Sequence, residues 1–119
     1  MRLDKLQHTA VAALEDIKAR DITFFDVRRQ TSLYDAMVIA TGDSSRQVKS
    51  LANHVRDKLK DAGATILGVE GAAVGEWILV DAGDIIVHVM QPAVRAYYNL
   101  EELWAPQAPA RRARAASAA

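Results

Sequence analysis

The side chains that could do metal or nucleophilic chemistry in this sequence are few. There is no cysteine, so disulfides and thiolate metal sites are excluded. The three histidines, His8, His54 and His88, belong to no HxH or HExxH pattern, the spacings at which histidine ligands commonly recur. The serines Ser44 and Ser45 lie in no GxSxG setting. The sequence therefore predicts neither a metal centre nor a cofactor site nor a nucleophilic enzyme.

One segment, 41–45, could still bind a phosphate, because a glycine followed by serines at a helix start offers free backbone N–H donors. Nucleotidyltransferases use such a turn and add paired carboxylates at alternate positions of the next strand, where they hold two metal ions. Here the next predicted strand has no acid within 64–69. A divergent enzyme would have to build its site from Gly42, Ser44, Glu70 and Asp81.

The alternative role for this segment is helix capping. Ser44 is followed three residues later by Gln47, which fits a capping box whose two side chains satisfy otherwise unpaired backbone donors. The missing carboxylates favour this interpretation over the catalytic one.

The elements that would position these groups follow from hydrophobic periodicity. Apolar residues recur at helical spacing in 3–17 and in 48–59, which predicts two amphipathic helices, and a short helix is predicted from Pro92 to Trp104. The unbroken apolar run 36–40 is typical of a strand covered on both faces. Composition predicts five strands, at 22–28, 35–41, 64–70, 76–81 and 84–90. We therefore predict an α/β fold, a mixed β-sheet of about five strands with flanking helices.

The last two strands are predicted to form a hairpin around the two-residue connection 82–83, which ends in glycine. Asp81 would then pair with Asp84 and Trp77 with His88. Alternation puts one aliphatic set in the core, namely Ile78, Val80, Ile85, Val87 and Val89. It puts a second set on the other face, namely Trp77, Leu79, Ile86, His88 and Met90. With acids at its edge this face is typical of an interface; the alternative is that a helix covers it and Trp77 is core.

The charge balance limits the class of partner. The chain of 119 residues has 15 Lys plus Arg and 15 Asp plus Glu, so its formal net charge is zero. Affinity for nucleic acid depends largely on a basic surface, so we expect little direct nucleic-acid contact. No apolar run reaches the roughly 20 residues of a membrane span, and no secretory signal is recognised. We expect a cytoplasmic protein without a membrane partner.

The chain is expected to be one domain, residues 1–105, followed by a tail. From 106 to 119 the sequence consists almost entirely of Ala, Pro, Arg and Ser and contains no large apolar residue. Such a segment cannot bury enough apolar surface to pack, so the tail 106–119 is predicted to be disordered.

Two groups of short motifs resemble those of the iojap-like ribosome silencing factors. The first comprises Ser32-Leu33-Tyr34-Asp35, then 38–42 (VIATG) and 44–48 (SSRQV). The second comprises 67–71 (LGVEG), Trp77, 80–81, 83–84, 87–90 (VHVM), Arg95, Tyr98, 100–101 and 103–104. The motifs follow the family order and spacing over about residues 3–104, so together they are highly specific.

The resemblance implies a fold similar to that of nucleotidyltransferases without their catalytic carboxylates, and a role that is not enzymatic. It also implies binding to the large ribosomal subunit at ribosomal protein L14, the fourteenth protein of that subunit. An occupant of that surface would sterically block joining of the small subunit and so repress translation under nutrient limitation or in stationary phase.

The resemblance also suggests which residues contact the ribosomal protein. Trp77 is the expected anchor, because a large aromatic in the middle of a sheet face is the usual kind of hot spot. The remaining expected contacts are His88 and Met90 on the same face, with Glu70, Asp81 and Asp84 at the rim. Arg46 and Tyr98 lie at motif positions, and for these two residues and for Glu70 a structural role is at least as strong an alternative as a contact. A homodimer formed through the Trp77 face is a further possibility.

Overall fold

The strands form one sheet, and two helices pack against one of its faces through their apolar residues. A computed structural model describes residues 2–100, 102 and 111–112 of the chain. In this part of the chain the helices are α1 (Arg2–Asp16), α2 (Ser45–Asp61) and α3 (Pro92–Tyr98). The strands are β1 (Arg20–Asp26), β2 (Ala36–Thr41), β3 (Gly68–Glu70), β4 (Trp77–Asp81), β5 (Ile85–Met90) and β6 (Arg111–Arg112). Among the described residues, no helix combines the length and the apolar character of a membrane-spanning segment.

The strands form a single sheet in the order β3-β4-β5-β2-β1-β6. Strands β2 and β5 run parallel at its centre, with Ala36 opposite Ile85 and Thr41 opposite Met90, and all other neighbours are antiparallel. Because β6 contributes only two residues, the body of the sheet is the predicted mixed sheet of about five strands. The predicted α/β fold with flanking helices is confirmed.

Helices α1 and α2 cover one face of this sheet. Their apolar stripes, which include Leu14 and Leu51, pack with alternate strand residues such as Val38 and Val87 in one fully buried cluster. Burial of each side chain of this size contributes about 1.5–3 kcal/mol to stability. Every residue of β2 and β5 is buried. The unbroken apolar run 36–40 therefore belongs, as predicted, to a strand covered on both faces.

Within the described residues, the opposite face carries a second, smaller cluster and the short helix α3. The buried members of this cluster are Phe25, Val27, Met37, Ile39, Ile86 and Met90. Trp77 and Leu79 pack against the cluster while remaining partly buried, as do Val94 and Leu100. The long helices therefore do not cover Trp77, and the face is only partly closed by α3 and the residues that follow it.

The hairpin of β4 and β5 does not have the predicted register. Trp77 lies opposite Met90, and His88 lies opposite Leu79. Direct pairing of Trp77 with His88 is therefore wrong. Because the register differs by an even number of residues, each side chain keeps its face of the sheet. The predicted aliphatic and aromatic faces are accordingly both confirmed.

The turn of the hairpin explains this difference in register. The Ala82 N–H donates to the Ile85 carbonyl, so the two turn residues are Gly83 and Asp84. Asp81 pairs with Ile86, and its predicted pairing with Asp84 is wrong. Gly83 has φ +83°, a backbone conformation that glycine adopts without a steric penalty.

Helix α3 ends earlier than the sequence predicts. Asn99 has φ +47°, and its N–H donates to the Arg95 carbonyl at 2.9 Å, which closes the helix. The predicted helical segment is therefore interrupted at Asn99; Leu100 and Glu102 are again helical, and residues 103–104 lie outside the described residues. Of the tail 106–119 the structure describes Arg111–Arg112, which pair with Thr23 and Phe24 of β1. Disorder of the tail and a boundary at 105 stay predictions.

Candidate functional site

The residues predicted to contact a partner lie on one side of the sheet. Trp77 and Asp81 of β4 and His88 of β5 are on the face away from α1 and α2. Glu70 of β3 lies opposite Leu79 and so faces the same side. The sheet thus brings together side chains from three neighbouring strands.

Trp77 is half-buried, and two neighbours hold its ring. Its Nε1–H donates a hydrogen bond to Nδ1 of His88 at 2.9 Å. The ring centroid lies 5.8 Å from that of His88 and 5.0 Å from that of Tyr98, with tilts of 46° and 48°. Tilted aromatic contacts at these distances are favourable. The indole is therefore fixed in orientation while part of it stays accessible to solvent.

Two tyrosines of α3 extend this contact towards solvent. Tyr97 is 81% exposed and meets the ring of Tyr98, itself 56% exposed, edge-on at 5.0 Å. Trp77, Tyr97 and Tyr98 form what we call the aromatic surface. Exposed aromatic groups of this kind are enriched at the energetic centres of protein interfaces. The arrangement can therefore bind an apolar or cationic group of a partner protein.

Beside the aromatic surface lies an open concavity of about 400 Å³, lined by Glu70, Gly71, Trp77, Leu79 and His88. Glu70, Leu79 and His88 form a row across three strands, since each lies opposite the next in the ladder. One wall is thus acidic, while the indole of Trp77 and the side chain of Leu79 make the rest mainly apolar. The concavity is large enough to bind a side chain of a partner protein.

His88 is neutral under ordinary conditions. It is only 8% exposed, and this burial lowers its pKa to about 4 because the charged imidazolium is poorly solvated there. An indole N–H can only donate, so Nδ1 is the acceptor and the hydrogen of the neutral ring is on Nε2. The imidazole therefore acts as a fixed support for Trp77.

Met90 and the two acids at the hairpin turn occupy different surroundings. Met90 is fully buried in the second cluster, so the direct contact expected of its side chain is not available, and it supports the aromatic surface from within. Asp81 accepts the Gly83 N–H at 3.0 Å, and Asp84 is exposed in the turn. Asp81 is four residues along β4 from Trp77, or roughly 13 Å at about 3.3 Å per residue. These acids lie at the far rim of the face, whereas Glu70 lies beside Trp77.

The sequence does not identify every residue of the site. Gly71 belongs to a family motif but is not predicted to line a site, Tyr97 is not predicted to be a site residue, and the sequence favours a bracing role for Tyr98 at least as much as a contact. Adjacent exposed tyrosines on a seven-residue helix are the signal that could have indicated the contact role. Arg46 is exposed in the first turn of α2, in the helical layer, and does not belong to this face.

The turn before α2 is built as a helix cap. Ser44 is the N-cap residue, and its Oγ accepts the Gln47 N–H at 3.1 Å. Gln47 Oε1 accepts from the Asp43 N–H at 2.7 Å, so the reciprocal bond of the predicted box is shifted by one residue. A Cβ at Gly42 would lie 2.9 Å from Cγ2 of Val48, so close helix packing explains this glycine.

The carboxylates that a nucleotidyltransferase would need are not brought to this turn. Gly42 follows the end of β2 beside Met90, whereas Asp81 pairs with Ile86, near the other end of β5. In the described part of the chain, no three side chains of His, Cys, Asp or Glu are grouped so that they could hold a metal ion. The geometry therefore favours the capping interpretation.

Several known proteins that this chain resembles in sequence are described as ribosomal silencing factors. The family described as "RsfS: Ribosomal silencing factor during starvation" matches residues 1–118. The "Ribosomal silencing factor RsfS" of Chromobacterium violaceum is 56% identical over 109 residues, which cover 92% of this chain and 89% of that protein. That of Haemophilus influenzae is 47% identical over 92 residues, covering 77% of this chain and 90% of the relative.

A solved structure shows the same similarity in three dimensions. The crystal structure of a Chromobacterium violaceum protein superposes with a TM-score of 0.86 at 54% sequence identity. The superposition covers 98% of each chain. The likeness therefore extends over the sheet and the helices.

Proposed function

The chain belongs to the ribosomal silencing factor family, and from that premise we propose that it binds the large ribosomal subunit through ribosomal protein L14. By occupying that position it sterically blocks joining of the small subunit. Translation is thereby repressed in the cytoplasm under nutrient limitation or in stationary phase.

The observation that carries this proposal is the aromatic surface. Trp77 is held by His88 and Tyr98, yet neither of the long helices covers it. A rigid aromatic group loses little side-chain entropy when a partner covers it, and such groups supply most of the energy of many interfaces. The aromatic surface is accordingly assigned as the centre of contact with the ribosomal protein.

The acids around this face suit a basic partner. Glu70 borders the concavity, and Asp81 and Asp84 lie at the hairpin end of the same face. Each exposed ion pair formed there would contribute about 1 kcal/mol or less. The acids therefore serve orientation and association rate more than affinity.

The proposed action needs occupancy and no chemical turnover. A protein bound where two subunits meet prevents their association for as long as it stays bound. The degree of repression then follows the fraction of large subunits occupied, which depends on the dissociation constant and the concentration of the factor.

Co-sedimentation with separated ribosomal subunits tests the proposal. The purified full chain is added to large subunits before or after small subunits, and the fraction of joined ribosomes is measured. We expect binding to large subunits alone and fewer joined ribosomes when the protein is added first. Equal joining in both orders would contradict steric blocking, and the lack of binding to large subunits would overturn the whole proposal.

Two variants connect this result to the aromatic surface. Trp77→Glu places a charge in the proposed contact and should abolish binding to large subunits while the protein stays folded. Asn53→Glu places the same charge on an exposed position of α2, in the opposite layer, and should bind as wild type does. Cross-linking to ribosomal protein L14, lost only in the Trp77 variant, would identify the contacted protein.

A second copy of the chain is another occupant for the same face. Sedimentation equilibrium of the free protein measures this self-association. If a homodimer uses the aromatic surface, the Trp77→Glu variant should be monomeric, and dimer formation should compete with binding to the large subunit.

A further inference from the structure

Helix α3, which carries both tyrosines of the aromatic surface, is too short to hold its own position. It has seven residues, whereas isolated helices below about 12 residues are marginal in water. Tyr97 and Tyr98 are mostly exposed, so their own burial contributes little to placing the helix. The location of α3 on the sheet must therefore depend on other contacts.

One such contact ties the start of α3 to the loop before β4. The Gln91 N–H donates to the Glu76 carbonyl at 2.9 Å, and Gln91 Nε2 donates to the Gly75 carbonyl at 3.1 Å. These bonds fix where the helix begins. Val94 adds an apolar contact with the second cluster. The direction in which the last turn, with Tyr98, runs over the sheet depends on a further contact.

Arg95 fixes that direction. Its side chain is only 9% exposed, although arginine is among the residues least often buried. Nη1 donates to the Asp21 carbonyl at 2.5 Å and to Thr41 Oγ1 at 2.9 Å, and Nη2 donates to Thr23 Oγ1 at 3.0 Å. One planar guanidinium thus joins α3 to both β1 and β2, and such charge-assisted bonds are stronger and more directional than neutral ones.

Strand β1 is irregular where it contacts the guanidinium of Arg95. The pairing of β1 with β2 is irregular between Arg20 and Thr23, and Asp21 in that interval has φ +51°. An irregularity of this kind re-aims the groups of a strand. Here the irregularity accompanies the carbonyl of Asp21, which accepts from Arg95.

We infer that Arg95 is a positioning residue: by anchoring α3 to β1 and β2 it sets Tyr98 against Trp77 and completes the aromatic surface. Arg95 and Tyr98 are three positions apart, so both belong to the same turn of the helix and move together. The part of this inference that concerns ribosome binding rests on the proposed function. The part that concerns the free protein does not.

The free protein provides the first test. In the full chain carrying Trp104→Phe, the single indole N–H resonance reports on Trp77, and hydrogen exchange reports on the amides of α3. We expect Arg95→Met to shift this resonance and to accelerate exchange in α3 by about tenfold or more relative to β5, because all three hydrogen bonds of the guanidinium are lost. Arg95→Lys should restore part of both signals.

The control is Arg20→Met, which removes an exposed arginine of β1 that pairs with Asp43. It should leave the indole resonance and the exchange in α3 unchanged. If Arg95→Met fails to fold, Thr23→Val removes a single acceptor and should give a smaller change of the same kind. Uniformly faster exchange in α3 and β5 with an unmoved indole resonance would overturn the inference.

A double-mutant cycle on affinity for large subunits provides the second test. We expect Arg95→Met and Tyr98→Ala each to weaken binding by about tenfold, and the double variant to be hardly weaker than either, because both remove the same contact. Additive losses would show that Arg95 does not act through Tyr98. Should wild type fail to bind, the proposed function fails, while the measurements on the free protein still decide the role of Arg95.

Discussion

The indole Nε1 of Trp77 and Nδ1 of His88 are joined by a 2.9 Å hydrogen bond that crosses between neighbouring strands diagonally. Trp77 lies opposite Met90, and His88 lies opposite Leu79, so the two side chains are not direct partners in the ladder. Long aromatic side chains reach such diagonal neighbours. The orientation of a half-buried tryptophan therefore depends on a buried imidazole in its neutral form.

This dependence predicts a loss of stability in acid. Burial lowers the pKa of His88 to about 4 in the folded protein, whereas an unfolded histidine has a pKa near 6.5. As the pH falls from about 6.5 to about 4, the unfolded chain takes up a proton that the folded chain does not. The free energy of unfolding should then decrease, by roughly 3 kcal/mol in total from this group. Urea unfolding at a series of pH values measures the decrease.

The control for this experiment is a pair of glutamine variants. His88→Gln keeps an oxygen that can accept the indole N–H but does not titrate, so the decrease between pH 6.5 and pH 4 should be smaller. His8→Gln alters an exposed histidine of α1 and should leave the decrease as in wild type. An unchanged pH dependence in His88→Gln would contradict the assignment.

Trp77 should matter more for binding than for folding. Trp77→Ala is expected to weaken binding to large subunits by about 30-fold or more, as for an interface hot spot. Because the indole is only half-buried, the loss of stability should be smaller than for Ile78→Ala, a core truncation expected to cost about 2–5 kcal/mol. Sedimentation binding and urea unfolding of both variants give the comparison. A larger stability loss for Trp77→Ala would show that its role is structural.

Gly71 should be intolerant of any side chain. Its φ is +87°, and a Cβ there would lie 2.1 Å from the carbonyl oxygen of Trp77. Strain and overpacking together predict that Gly71→Ala lowers the free energy of unfolding by about 2–4 kcal/mol. Gly68→Ala is the matched control, because a Cβ there meets nothing within 4 Å. Similar thermal unfolding of the two variants would argue against this account of the concavity's wall.

The capping role of Ser44 predicts a small and specific effect. Ser44→Ala removes the acceptor of the Gln47 N–H and should lower the free energy of unfolding by about 1 kcal/mol. Ser45→Ala, one residue later at the first helical position, should change it by less than about 0.5 kcal/mol. Calorimetric titration of wild type with a nucleoside triphosphate and magnesium should show no binding. Binding that Ser44→Ala abolishes would instead support a phosphate site.

Most elements and both faces of the sheet could be predicted because hydrophobic periodicity is local, although the strand predicted at 64–70 occupies only Gly68–Glu70. The register of the hairpin could not, since both 82–83 and 83–84 are two-residue turns that contain Gly83 and leave the faces unchanged. In the structure, the hydrogen bond from the Ala82 N–H to the Ile85 carbonyl defines the turn as 83–84. Between these alternatives the hydrophobic pattern does not discriminate.

The candidate site could be predicted only in part, for a similar reason. Alternation along β4 and β5 places Trp77 and His88 on one face, and the family resemblance singles them out. The contact of Tyr98 with Trp77 depends on where α3 lies, and that is set by bonds from Arg95 to strands distant in sequence. Hydrophobic periodicity contains no information on such bonds.

Strands β2 and β5 are neighbours at the centre of the sheet, yet α2, β3 and β4 lie between them in the chain. Pairing of segments so distant carries a loop-closure cost and is slow compared with local hairpin or helix formation. The Trp77–His88 hydrogen bond can form early, within the hairpin. The guanidinium of Arg95 lacks its acceptors until β1 and β2 have placed Thr23 and Thr41. A partly folded chain therefore lacks a complete aromatic surface. We expect the chain to bind its partner only after the sheet has assembled.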